Sequence, residues 1–335
     1  MIVIAIITVL LAFAFTFTNG FQDASAIAAT FIASRSASPK SGISFIAGVA
    51  LIGAILGGSA VAFTISGLLL LDSPESLLLV LLIALLTATI WNIITWKFGL
   101  PSSSTHSLIG GLIGGGIAAA GTGSIYWGLD ELVNPPYEVT GLVKILLFFV
   151  VSIVIGFVGS YLMRKCTRVF LRNAQKTINR PIVFLNWCAA AAMAFFNGAN
   201  DSQKQLGIIA LALFTAGLST AAEVPFWARV ACAILIAIGT LSGGWRIMHT
   251  LGRRIFKIEP IHSFDSQVFS SSSIALSTLA GAPVSSTQII TMSVVGVGAA
   301  ENPRKVKWSV GTHILVAMIG TMPVTIVISA LLYSV

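Results

Sequence analysis

The chain has 335 residues, of which 56% are hydrophobic and 9% charged, and its mean hydropathy is +0.96. Soluble domains carry roughly 25% charged residues, so this composition excludes one and points to an integral membrane protein. The net charge of +8 reads as the basic loops of a membrane topology rather than a nucleic-acid surface. Cys166, Cys188 and Cys232 offer neither a disulfide framework nor metal-ligand spacing.

The apolar runs are long enough to cross roughly 30 Å of hydrocarbon as helices, and they are continuous rather than alternating, unlike barrel strands. The expected fold is therefore all-α. The first span covers residues 1–34; with no Lys or Arg ahead of it and no cleavage site, it reads as a retained helix rather than a signal peptide. Within it lies Asn19-Gly20-Phe21-Gln22-Asp23, where a break is expected, leaving a broken or a re-entrant helix. An ionisable residue inside the membrane costs about 3 kcal/mol on insertion scales and is a functional hypothesis by default. Further spans are expected at 43–71, 77–96, 101–120 and 140–163.

Residues 164–181 form a basic linker, suited to lie on anionic lipid or simply to fix topology. After it the pattern repeats. A span at 182–215 carries Asn197-Gly198-Ala199-Asn200-Asp201, again with an expected break, and is followed by spans at 225–245, 261–280, 283–300 and 308–333. The chain thus divides into an N-terminal membrane repeat (1–163), the linker, and a C-terminal repeat (182–335). With the N-terminus outside, Arg35, Lys40, Lys97, the linker, the basic loop 246–257 and Arg304, Lys305 and Lys307 all fall inside, as the positive-inside rule requires. Both termini are then outside. About five spans per repeat also invert the second repeat relative to the first, the plan of many secondary transporters.

A second motif is duplicated at nearly the same shift. Gly99-Leu100-Pro101-Ser102-Ser103-Ser104-Thr105-His106 matches Gly281-Ala282-Pro283-Val284-Ser285-Ser286-Thr287-Gln288, and Gly114 and Gly116 match Gly296 and Gly298. Pro and hydroxyl residues suit a helix start, and the free N–H groups of such a start face anions well. Ser and Thr in membrane helices also bond to the preceding turn merely for structure, but duplication in both repeats argues for a site. Inverted symmetry would bring the two hydroxyl-rich starts and the two aspartates to one midplane chamber, whose converging donors suit a tetrahedral oxyanion.

Electrostatics then constrains the mechanism. Two unit charges about 4 Å apart interact by roughly 4 kcal/mol at an effective dielectric near 20, so an anion cannot settle between Asp23 and Asp201 alone. Protons, Na⁺ or a divalent metal must enter with it, held by the two carboxylates and the carboxamides of Asn19, Gln22, Asn197 and Asn200. The result is symport, with no cofactor beyond the co-transported cation and no assured resident metal.

In these motifs the chain resembles the PiT inorganic phosphate transporters, in particular their bacterial branch, over essentially its whole length. The resemblance implies a symporter for inorganic phosphate in the cell (inner) membrane, a homodimer surrounded by lipid. It implies that Asp23 and Asp201 bind ion and substrate, and that Ser103, Ser104, Thr105, Ser285, Ser286 and Thr287 are phosphate ligands, with Gln22 and Asn200 beside them. Gln22 stands where many members have Asn, and Ala-Ser-Ala follows Asp23 rather than Ala-Asn. Fewer carboxamides favour proton coupling, or carriage of a neutral metal–phosphate complex, over Na⁺. Some relatives carry sulfate, which has the same geometry.

His106 is a candidate proton relay, but Gln288 at the matching position fits polar packing equally well. His249, His262 and His313 show no ligand spacing. Lys204 either neutralises Asp201, binds substrate, or is a surface lysine whose ammonium reaches out to water. The rival from another class is an intramembrane hydrolase using a serine among Ser102–Ser104 with His106 and Asp23; the second copy of the motif argues against it. A passive anion channel is the third reading.

Overall fold

The structure, a computed structural model, describes residues 1–135, 137–173, 178–242, 248 and 255–335. Its helices are α1 (Ile2–Ala33), α2 (Pro39–Leu56), α3 (Ala60–Ser66), α4 (Pro74–Phe98), α5 (Ser104–Ala120), α6 (Asp130–Val133), α7 (Gly141–Phe170), α8 (Asn179–Thr215), α9 (Phe226–Ser242), α10 (Pro260–Leu279), α11 (Ser286–Glu301) and α12 (Trp308–Ser334). No strand is present among the described residues, so the fold is all-α as expected. Among the described residues six helices, α1, α2, α4, α7, α8 and α12, are long and apolar enough to cross a membrane. The end of the expected span at 245, most of the basic loop 246–257 with His249, and residues 174–177 of the linker lie outside the described residues.

The expected breaks at Asn19-Gly20 and Asn197-Gly198 are absent: α1 and α8 run through both motifs as continuous helices of 32 and 37 residues. The glycines serve close packing instead. A Cβ on Gly20 would fall on the Ile236 carbonyl oxygen of α9, and one on Gly198 on the Ala50 carbonyl oxygen of α2. The interruption comes elsewhere, inside the expected span 43–71, where Gly57, Gly58 (φ +79°) and Ser59 separate α2 from α3. Irregular backbone at membrane depth must be satisfied by protein groups. Here the Gln203 amide donates to Gly57 O (2.5 Å) and accepts from Val61 N (2.8 Å), while Arg229 donates to Gly58 O (2.5 Å) and Ser59 Oγ (2.7 Å).

Helix pairings come in matched sets. Helix α2 packs on α8 as α9 packs on α1; α5 packs on α12 as α11 packs on α7; α4 lies on α1 as α10 lies on α8. The duplicated glycines make the second set possible, because Cβ atoms at Gly114 and Gly296 would strike the carbonyl oxygens of Ile326 and Phe157.

Two large apolar cores result. One holds the first half of α1 (Ala5, Val9, Ala12, Phe15) together with the last part of α8 (Leu206, Ile208, Ile209, Ala212). The other holds the second half of α1 (Ala26 to Phe31) with the first half of α8 (Ala190, Met193, Ala194). The two long helices therefore run in opposite directions, and their polar residues, 19–23 and 197–205, form a belt between the cores.

Candidate functional site

That belt meets the starts of α5 and α11. The local sequence makes these starts: Gly99 (φ +65°) closes α4 in the left-handed region, and Gly281 (φ +68°) takes the same conformation in the turn just after α10. Each is followed by non-helical residues and a serine cap. Ser103 Oγ accepts from His106 N (3.1 Å) and Ser285 Oγ from Gln288 N (3.4 Å), which is what an N-cap hydroxyl does. These two serines are thus engaged in shaping the helix starts.

The next hydroxyls reach the carboxylates. Ser104 donates to Asp23 Oδ2 (2.5 Å) and Thr287 to Asp23 Oδ1 (2.6 Å), so Asp23 takes one hydroxyl from each copy of the duplicated motif. Asp201 accepts from the Asn197 amide (2.9 Å) and from the Lys204 ammonium (2.6 Å). Lys204 also donates to Thr105 Oγ1 (2.6 Å) and Val284 O (3.0 Å), and Thr105 donates to the same carbonyl (2.8 Å). Neighbouring residues of one helix start thus reach both aspartates, Ser104 touching Asp23 directly and Thr105 reaching Asp201 through the Lys204 ammonium. Convergence of both motifs on one buried centre is therefore a fact of the fold.

Lys204 corrects one alternative reading: it is fully buried, not a surface lysine. Asn200 bridges α8 to the start of α11, donating to Thr278 Oγ1 (3.0 Å) and Ala282 O (3.2 Å) and accepting from Val284 N (3.3 Å). Gln22 donates to Ser102, at both its carbonyl (3.2 Å) and its hydroxyl. Buried oxygens remain without partners at Asn19 Oδ1, Gln22 Oε1 and Asn197 Oδ1, and Ser286 Oγ is likewise buried and unpaired. Carbonyl-type oxygens beside carboxylates are the donor set of a hard cation, and a free hydroxyl suits an oxyanion.

His106 does not form a triad. Its Nδ1 faces Met318 O (3.0 Å), its ring packs on Phe149, and Nε2 has no partner. Sequence reasoning missed Gln203 and the Val284 carbonyl, neither of which carries a charge to mark it, and named Ser102 as a candidate nucleophile rather than as the partner of Gln22. It also placed Arg164 at the start of the basic linker. Arg164 is buried on α7, donating to Glu301 (2.8 Å) and lying 3.5 Å from Asp265, which Thr167 also contacts (2.9 Å). The cluster ties α7, α10 and α11 together.

A polytopic helical bundle with a charged, hydroxyl-lined centre buried between two apolar cores is the architecture of a membrane transporter. Residues 19–329 match the profile of the phosphate transporter family. The chain is 38% identical to a protein named probable low-affinity inorganic phosphate transporter from Rhizobium meliloti, over 95% of this chain and 92% of that one. It is 33% identical to one of the same name from Bacillus subtilis, over 99% and 97%. A solved structure, "The sodium-dependent phosphate transporter", shares the fold with a TM-score of 0.88 at 22% identity, over 99% of this chain and 98% of that chain. The chain belongs to the phosphate transporter family; it is a transporter and not an enzyme, which removes the hydrolase reading.

Proposed function

We propose that the protein is a secondary active symporter that moves inorganic phosphate across the cell membrane with a cation, by alternating access around the Asp23–Asp201 centre. The observation that carries this is the meeting of two buried carboxylates with two hydroxyl-rich helix starts at one place. Relatives named as phosphate transporters at 33–38% identity support the substrate. Opposed α1 and α8 and the matched pairings support inverted repeats, which can exchange roles as one opens to each side.

Phosphate would take N–H groups at the starts of α5 and α11 and the hydroxyls of Ser286 and of Ser104, Thr105 and Thr287 once these turn from their present acceptors. A cation would take Asp23 with the unpaired oxygens of Asn19, Gln22 and Asn197. Each ligand neutralises what repels the other, so neither stays without its partner. The cation is H⁺ or Na⁺, or a divalent metal carried as its phosphate complex. Both termini lie outside in this reading.

Uptake of labelled phosphate and sulfate into proteoliposomes under imposed H⁺ and Na⁺ gradients tests it. Phosphate accumulation against its gradient, driven by one of the cations, is expected. Flux indifferent to both gradients would mean a channel, and preference for sulfate would mean a sulfate permease of the same fold.

A further inference from the structure

The two aspartates are not equivalent, and the difference lies in Lys204. Its side chain is entirely buried, and an ammonium has three N–H donors and no acceptor. All three find oxygen: Asp201 Oδ1 on its own helix, Thr105 Oγ1 at the start of α5, and Val284 O ahead of α11. The ammonium is thus a monovalent cation held among oxygens from three elements, at the point where both hydroxyl-rich starts converge. Asp23 has no such partner. Its oxygens accept only Ser104 and Thr287, no ion pair to it exists among the described residues, and the residue three positions on, where Lys204 stands in the second repeat, is the buried apolar Ala26.

A lysine buried for stability alone is a poor explanation, because a buried ion pair gains little over apolar side chains of similar volume. We propose that Lys204 is a resident cation: its ammonium fills the position at Asp201 that a mobile co-ion would otherwise occupy, leaving Asp23 as the carboxylate whose charge a travelling cation neutralises. This rests on the symport reading and deepens it. The cycle then moves one cation fewer per phosphate than the same centre with a neutral residue at position 204. Asp23 and Asp201 are chemically alike; the lysine is what divides them into a variable and a fixed charge.

The test is the ratio of charge to phosphate moved, from current and labelled phosphate uptake recorded on the same proteoliposomes, for the parent and for Lys204→Gln and Lys204→Asn. The expected result is a rise of one elementary charge per phosphate in both variants, met by an added Na⁺ or proton. An unchanged ratio overturns the inference while leaving symport intact. A parent that carries no phosphate under any cation gradient overturns both. Should the variants fold but not transport, Na⁺ bound and protons taken up per phosphate bound are counted on purified protein with labelled Na⁺ and a pH-stat. A total higher by one than in the parent supports the resident cation, and equal totals refute it.

Discussion

Asp201→Asn isolates the energetics of the centre. At 2.6 Å and an effective dielectric near 20, the Lys204–Asp201 attraction is about 6 kcal/mol, most of it offset by the cost of taking both charges out of water. Removing the carboxylate cancels the attraction but leaves the ammonium buried, and breaking such a pair from one side costs about 3–5 kcal/mol. For a chain of 335 residues, with an unfolding entropy of about 2.1 cal/mol/K per residue, that lowers the melting temperature by roughly 4–7 °C. Lys204→Gln should also destabilise, though less, because Asn197 still donates to Asp201. The double variant, which strands no charge, should lie closer to the parent than the sum of the single shifts, with a coupling of at least about 2 kcal/mol. Thermal melts of the four proteins in detergent provide the measurement. Single-variant shifts that simply add in the double variant, to within about 0.5 kcal/mol, would refute the picture of a buried, mutually dependent pair.

Asp23→Asn should behave differently, since no cation is left stranded: coupled phosphate uptake is lost while the melting temperature stays close to that of the parent. Normal phosphate accumulation by this variant would remove Asp23 from the mechanism. Ser104→Ala and Thr287→Ala each delete a hydroxyl that would turn from Asp23 to phosphate, a hydrogen bond to a charged group worth about 1.5–3 kcal/mol, so uptake at low phosphate should fall roughly 10- to 150-fold, with Thr287→Ser largely retained. Equal activity in Thr287→Ser and Thr287→Ala would exclude a role for that hydroxyl. Gly114→Val should fail to give monodisperse protein on size-exclusion chromatography, because its side chain would collide with the Ile326 carbonyl of α12. Gly48→Ala, with nothing within 4 Å of its new methyl, should melt at or slightly above the parent, as Ala gains up to about 1 kcal/mol of helix propensity.

Much of the site was legible because burying polar groups in lipid is costly and the motifs occur twice. Asp23, Asp201 and the two hydroxyl stretches stand out against apolar surroundings, and their duplication by itself implies a common centre. The expectation of broken α1 and α8 failed for a specific reason. Gly within Asn19-Gly20 and Asn197-Gly198 signals either a kink or a close crossing, and only the backbones of α9 and α2 pressed against these positions decide for the crossing.

What residue order alone determines is the all-helical, membrane-embedded character, through the length and continuity of apolar runs, and the identity of the charged residues that must be sheltered. What only the tertiary structure decides is how each charge is sheltered. Lys204 has the same side chain whether it reaches to water or lies in the centre; it is the arrival of Thr105 and Val284 from helix starts far away in the chain that supplies its oxygens. Arg164 likewise reads as a topology signal until α10 and α11 bring Asp265 and Glu301 to it. Partners so distant in sequence meet only through packing, and packing depends on which helix backbones small residues allow to touch.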